Sequence, residues 1–285
     1  WEAHGATSWG YRDVLPHFRK LEHFDGAPSQ YRGAHGELSV STLRNNNPAC
    51  AAWLEAARQT GLPANPDFNG ETTYGVGAYN LSISRRWRES AAVAFLAPAA
   101  KRQNLRILTR AHVTRVIFEG TVAVGVEWVS QGKAECAEAS GEVILSGGAL
   151  QSPQILMLSG VGAAEMLGRH RIAVVADSPG VGGNLQDHYQ ARTIVRLKQP
   201  TSLNNQVRNP FSLAAMGWDW LAHGRGPVTI GAGQVGGGAC SEHAVNTRPD
   251  IQFNVMPLSV DKPGDPLHRY AGFTAAMWQC HPRSR

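Results

Sequence analysis

Glu142-Val-Ile-Leu-Ser-Gly-Gly-Ala-Leu-Gln-Ser-Pro-Gln-Ile-Leu-Met-Leu-Ser-Gly-Val-Gly162 is the stretch on which the fold turns. Val143-Ile144-Leu145 is a short apolar, β-branched run of the kind that fills a strand buried on both faces. Gly147-Gly148 permits a sharp turn and a close approach by other backbone. Ser152-Pro153 has the form of an N-cap with proline at the first helical position. Ile155, Leu156 and Leu158 supply an apolar side, and Ser159-Gly160 ends the helix, with Gly160 suited to a left-handed cap. The segment therefore predicts strand, glycine turn and helix, with backbone N–H groups at the turn able to receive a phosphate-bearing ligand. Taken alone, such a unit is also an ordinary βα connection.

The whole string is more specific than its parts. Gly148-Ala149, Ser152-Pro153, Ile155-Leu156 and Ser159-Gly160-Val161-Gly162 resemble, position by position, the second signature of the glucose–methanol–choline (GMC) oxidoreductases. Gly180-Val-Gly-Gly-Asn-Leu-Gln-Asp-His188 is similar to the stretch that follows it there. Ahead of the signature, Tyr11 to Glu22, His35-Gly36 and Asp67-Phe-Asn-Gly70 carry the likeness over nearly the whole chain. The resemblance implies an FAD-dependent alcohol oxidase or dehydrogenase that converts a primary alcohol to an aldehyde by hydride transfer to the flavin. The expected fold class is α/β with mixed α+β character. Residues 1–190 would form part of an FAD-binding domain, and 191–285 part of an antiparallel-sheet substrate domain. The backbone of Val113 would touch the FAD adenine, and Gly147, Gly148 and Ala149 would line the cofactor. His188 and Gln190 would lie in the substrate pocket. In the choline-oxidising branch the position matching Gln190 holds an acid facing the trimethylammonium group. A neutral glutamine there counts against choline.

Length and composition agree with this reading. A chain of 285 residues is ample for one or two cores. Hydrophobic residues at 42% and charged ones at 17% exclude a disordered chain. No apolar run approaches the roughly eighteen residues of a transmembrane helix, and Trp1 to Gly5 is not a signal peptide. The charge of +5 is scattered among carboxylates, which argues against a nucleic-acid partner. Cys50, Cys136, Cys240 and Cys280 lie far apart, with no zinc-ligand spacing. They read as free thiols of a reducing compartment. The expected location is cytoplasmic, with attachment to a membrane periphery as the variant.

Along the chain, residues 8–24 predict an amphipathic helix capped by Ser8, with Pro16 in or near its first turn. Tyr31 to Ser41 predicts a loop running into a short strand. Asn47-Pro48 opens a helix that ends near Gly61. Leu62 to Gly77 predicts loop. Arg85-Arg86-Trp87-Arg88 could form an anion or nucleic-acid patch, but it resembles the family's Arg-Trp element, which implies a following helix over Glu89 to Ala100 packed near the cofactor domain. Leu105 to Leu108, Val113 to Phe118 and Val122 to Val129 predict successive strands, and Ile172 to Val175 another. Beyond Arg192, strands and loops with Trp218, Trp220 and Trp278 are expected.

Gly231-Ala-Gly-Gln-Val-Gly236 matches GxGxxG after Val228-Thr-Ile230. A dinucleotide fingerprint needs a helix opening at its last glycine and an acid about twenty residues later. Neither follows, so a substrate-domain loop is the better reading and an NAD-dependent dehydrogenase the weaker one. A non-catalytic binding module on a flavoprotein-like scaffold is a further alternative. The chain lacks the family's N-terminal glycine motif and its C-terminal histidine block. It therefore reads as an internal fragment, inactive by itself, in which no catalytic residue and no metal ligand is assigned. The electron acceptor is left open.

Overall fold

The computed structural model describes residues 1–43, 47–229, 231, 233–262 and 264–284. The chain divides into two compact units, one of residues 1–102 with 188–281 and one of 103–187 with 282–285. The first unit is discontinuous, unlike the contiguous partition at 190/191 expected from sequence.

In the first part of unit 1, α1 (Tyr11–Leu21) begins behind Gly10, whose N–H donates to Asp13 at 3.1 Å. Ser8 is therefore not its cap, and it adopts φ 67°. Pro16 lies inside α1, in its second turn rather than its first, and removes one i→i−4 bond there. β1 (Glu22–Phe24) pairs in parallel with β2 (Leu38–Val40), the short strand expected before Ser41. α2 (Pro48–Gln59) starts as predicted: Asn47 accepts from the Ala49 N–H at 2.9 Å, and Pro48 fills the first turn. The stretch expected to be loop through Gly77 instead contributes β3 (Gly75–Ala78). β4 (Ile83–Ser84) and β5 (Trp87–Arg88) form a hairpin with Arg85-Arg86 at its tip. The predicted helix over 89–100 shortens to a π-helical segment, Ala92–Leu96, running into α3 (Ala97–Ala99). Ahead of them the Glu89 carboxylate is held by the Ser39 N–H.

Unit 2 carries an antiparallel meander of β6 (His112–Glu119), β7 (Val122–Ser130) and β8 (Lys133–Glu138). The first two were expected. Residues 105–108 form no strand, and neither do 143–145, where Ile144 is 80% exposed. Both runs are apolar enough, but a strand exists only through pairing, and among the described residues neither has a neighbour to satisfy its N–H and C=O groups. α4 (Gly148–Leu158) begins four residues before the predicted Ser152 cap and keeps Pro153 in its interior. Gly160, at φ 90°, follows its C-cap Ser159 as predicted. β9 (Val161–Gly162) leads to α5 (Ala164–Arg169). The strand expected at 172–175 forms one step later as β10 (Ala176–Asp177), parallel to β9.

Returning to unit 1, β11 (Gln190–Arg196) is followed by α6 (Leu203–Gln206) and α7 (Pro210–His223). The two helices stand where strands and loops were expected. Asn209 caps α7 by accepting from the N–H groups of Phe211 and Ser212, and Gly224 closes it at φ 63°. β12 (Val235–Ala239), β13 (Ile251–Met256) and β14 (Gly272–Gln279) complete a five-stranded antiparallel sheet ordered β11-β14-β13-β12-β3. One face of it carries α2: Cys50, Val235 and Val255 are buried together beneath Trp53, Leu54 and Phe273. The GxGxxG string, whose Ala232 lies outside the described residues along with Ile230, runs into β12 rather than into a helix. Dinucleotide binding in the βαβ manner has no helix to use there.

A buried polar hub ties the sheet to its connecting loops. The Asn204 amide, fully buried, donates to the Ser259 carbonyl at 3.0 Å and the His268 carbonyl at 3.1 Å, and accepts from the Ser259 N–H at 3.0 Å.

Candidate functional site

In unit 2 the chemistry gathers at the amino end of α4. Gly147 takes the N-cap position, and its N–H donates back to the Ser152 hydroxyl at 2.9 Å. Ser152 is thus a capping partner from inside the helix rather than its N-cap. Gly148 has φ 83°, and a Cβ built on it meets nothing within 4 Å. The first turn carries no acid and no side-chain cap, so its N–H groups are left to receive an anion. Beside it lies a groove of about 670 Å³ walled by Ala149, Ser152, Met157, Gly182 and Asn184. The far end of α4 is fixed: the Ser159 hydroxyl donates to the Ile155 carbonyl at 2.6 Å and accepts from the Val116 N–H at 2.8 Å. That bond joins α4 to β6, where Val113 stands opposite Trp128 beside a register shift. Val113, Gly147, Gly148 and Ala149 therefore lie on two adjoining elements of one unit. Gly160 is forced, because a Cβ there would approach the Ala173 carbonyl oxygen at 2.4 Å.

In unit 1 the sheet face opposite α2 is polar. Directly paired residues of antiparallel strands share a face. The register therefore aligns Gln190, Trp278, Gln252 and Gly238 in one row. The Trp278 indole N–H donates to the Gln252 side chain at 2.9 Å. One row along, Arg192 faces the same way, and its guanidinium donates to the carbonyls of Val260 at 3.2 Å and Asp261 at 3.3 Å. In that row Asn254 has a buried Oδ1 without a hydrogen-bond partner. The Tyr79 ring lies across β12: a Cβ on Gly236 would come within 2.4 Å of its hydroxyl, which donates to the Phe253 carbonyl. Burial pushes the Tyr79 phenol up from its ordinary value. A cavity of about 390 Å³ opens here between Phe68, Tyr79, Asn80, Gly238, Gln252 and Cys280.

His188 sits just ahead of β11 and is exposed, while Gln190 opens the strand, so the two fall at one sheet edge. Sequence reasoning missed Tyr79, Gln252 and Asn254 as parts of this face. The signal was present in the glycine run 236–238, which as a strand leaves room for an aromatic ring above it. Among the described residues no cluster of His, Cys, Asp or Glu is arranged to hold a metal ion. Among the same residues no helix is long and apolar enough to cross a membrane.

Comparison with known proteins agrees with this architecture. The GMC oxidoreductase family model matches residues 1–190. Human mitochondrial choline dehydrogenase is 43% identical over 260 residues, covering 91% of this chain and 43% of its own length. The oxygen-dependent choline dehydrogenase of Brucella suis is 36% identical over all 285 residues, which make up 51% of its length. The chain thus spans about half the length of these relatives. Among solved structures, pyridoxine 4-oxidase from Mesorbium loti superposes with a TM-score of 0.80 at 25% identity, over 98% of this chain and 51% of its own. A formate oxidase shares the fold, with a TM-score of 0.83 at 22% identity, over 98% of this chain and 54% of its own.

Proposed function

Because the chain belongs to the GMC oxidoreductase family, we propose that it is the central part of an FAD-dependent enzyme that oxidises a neutral primary alcohol to an aldehyde. The observation that carries the reading is the 43% identity to a choline dehydrogenase over 91% of the chain. The residues present fit the cofactor. The glycine-opened end of α4 has room at Gly148 for a ligand that a side chain would displace, and no carboxylate in the first turn opposes a pyrophosphate. Val113 would offer its backbone to the adenine, and Gly147, Gly148 and Ala149 would hold the adenosine side. Bound FAD supplies the two-electron acceptor that the side chains lack.

For the alcohol, the polar sheet face in unit 1 provides the orienting groups. Gln190 offers both a donor and an acceptor to a neutral hydroxyl or ether oxygen, and Trp278 next to it supplies an apolar wall. His188, one residue before Tyr189 at the strand entrance, would border the same pocket. On this reading unit 1 serves the substrate, with the 191–285 segment as its principal contribution, and unit 2 serves the cofactor. The human and Brucella choline dehydrogenases share much of the sequence, but Gln190 offers no charge to a quaternary ammonium group. The proposed setting is the cytoplasm, with the protein peripheral to a membrane.

The test is the full-length protein. It should carry flavin absorbance, and dye reduction should follow a panel of neutral primary alcohols. A preparation that binds no flavin after reconstitution, or that reduces no dye with any primary alcohol, overturns the proposal.

A further inference from the structure

α7 is built inside out. Its half-buried side carries Ser212, Met216, Asp219 and Trp220, while the opposite stripe of Phe211, Ala214, Ala215, Trp218, Leu221 and Ala222 is wholly apolar and exposed. Phe211 is 85% exposed, Trp218 67% and Leu221 57%. These positions recur at three- and four-residue intervals, so they form one continuous strip along the helix. No residue of α7 is buried, although its caps at Asn209 and Gly224 are complete. An apolar strip of this kind on a well-formed helix marks an interaction surface.

The surroundings narrow the kind of partner. The hairpin of β4 and β5 sits against the helix: Arg86 donates to the Leu221 carbonyl, the Trp220 indole donates to the Arg86 carbonyl at 3.2 Å, and Trp87 packs edge-on to Trp220 with centroids 4.9 Å apart. That brings Arg85, Arg86 and Arg88 to the carboxyl end of α7. Arg225 stands at the same end and Arg208 at the other. The carboxylate of the helix itself, Asp219, is engaged by His223 at 2.8 Å and by Arg225 at 3.2 Å, and Glu89 is engaged by the Ser39 N–H. Arg225 is thus paired with Asp219, and Arg85 and Arg88 of the hairpin are exposed cations beside the apolar strip. Indole rings at the boundary, from Trp87 and Trp218, suit the zone between headgroups and acyl chains.

We propose that α7 and the Arg85–Arg88 hairpin form a peripheral docking surface for an anionic lipid bilayer. The helix would lie in the interface plane, with Phe211, Trp218 and Leu221 in the acyl boundary and the arginines among the headgroups. The charge rim favours a lipid surface over a second copy of the chain, whose identical face would bring arginines against arginines.

The experiment uses the FAD-loaded full-length protein and flotation with vesicles of phosphatidylcholine alone or mixed with phosphatidylglycerol. Wild type should float with the mixed vesicles and stay in solution with the neutral ones, and salt should release it. Phe211→Ser/Trp218→Ser and Arg85→Glu/Arg88→Glu should each weaken partition about tenfold or more, with turnover of a water-soluble alcohol retained. In case the double serine variant fails to fold, brominated acyl chains provide a second readout: they should quench wild-type tryptophan emission, and Trp218→Phe should lose a clear part of that quenching while still floating, the remainder coming from Trp87. Absence of binding to the mixed vesicles, or binding indifferent to both variants, overturns the proposal. So does a wild-type dimer that Trp218→Ser turns into a monomer without any lipid binding, or a Trp218 that lipid never quenches because other protein covers it.

Discussion

Gln190 stands directly across from Trp278 at the edge of the five-stranded sheet, and Arg192 follows on the same face with its guanidinium directed at the carbonyls of Val260 and Asp261. An aromatic face and a fixed side-chain position are thus present for a cationic headgroup, but the carboxylate is not. A charge pair near 4 Å is worth about 4 kcal/mol at an effective dielectric of 20. Arg192 two residues away would offset part of it. In the full-length enzyme, Gln190→Glu should raise kcat/KM for choline at least about tenfold while changing that for a neutral alcohol much less. Wild-type preference for choline, or no gain in the variant, would show that this position does not set specificity.

Gly148 has a left-handed φ and open space around it, so a valine there is opposed by backbone strain and by whatever ligand fills that space. Gly148→Val should lower flavin occupancy about tenfold, since roughly 1–2 kcal/mol of strain adds to the lost approach. Gly233 makes a poor control, because a Cβ there would meet the Asn254 amide oxygen at 2.0 Å. Gly168, in α5 with nothing within 4 Å, is the suitable one, and Gly168→Ala should keep its flavin. The check is the flavin-to-protein absorbance ratio after gel filtration. Equal ratios for the two variants would remove Gly148 from the cofactor site.

The contrast between these glycines marks how far the sequence could be read. Asn47-Pro48 and Gly160 were legible because their cause is local, needing only their own neighbours, whereas Ser8 and Ser152 have the right side chain for a cap but the helices start at Gly10 and Gly147 instead. The meander of β6 and β7 was legible for the same reason, through its short turn at Glu119-Gly120. Val143 to Leu145 was not, because an apolar run becomes a strand only through a partner that the run itself does not contain. The polar face of the large sheet was hidden for a related reason. Its row of Gln190, Trp278, Gln252 and Gly238 is created by register among four strands, and Gly236 to Gly238 resemble a loop until the Tyr79 ring over Gly236 is taken into account. α7 carried the ordinary helix signals, an Asn209-Pro210 start and apolar residues at three- and four-residue spacing, so the expectation of strands and loops there was a misreading of a legible pattern.

The four cysteines are all free, yet they differ in reach. Cys50 is buried against Val235 and Val255, and desolvation pushes its thiol from the ordinary 9.0 up to about 12. The folded chain therefore holds a proton that the unfolded chain releases between those values. The contribution is complete below pH 9.0 and is lost as pH rises towards 12. Alkylation followed by peptide mapping at pH 8 should label the exposed Cys136 and Cys240 promptly, and Cys50 only after denaturant is added. Labelling of Cys50 in native buffer at the rate of Cys136 would contradict this packing.

The last prediction concerns the hub that holds the sheet's connecting loops. Asn204 and Ser259 are both fully buried, and a single amide shares its two N–H groups among two carbonyls and a hydroxyl while its oxygen accepts from an N–H. Removing it strands those groups in a place that water does not reach, and each orphaned group costs about 1–3 kcal/mol. Some will find new partners as the loops relax, so the net loss should be about 2–4 kcal/mol. Asn204→Ala should therefore lower the urea midpoint of the full-length protein with little change in slope. Asn204→Asp keeps the acceptor for the Ser259 N–H but turns a negative charge towards the carbonyls of Ser259 and His268, so it should be at least as damaging. Asn205→Ala, next in the chain, loses only the bond from the Ser202 hydroxyl at 3.1 Å and should cost about 1 kcal/mol. If Asn204→Ala and Asn205→Ala unfold at the same urea concentration, the hub does not bear on stability and its buried bonds are interchangeable with water.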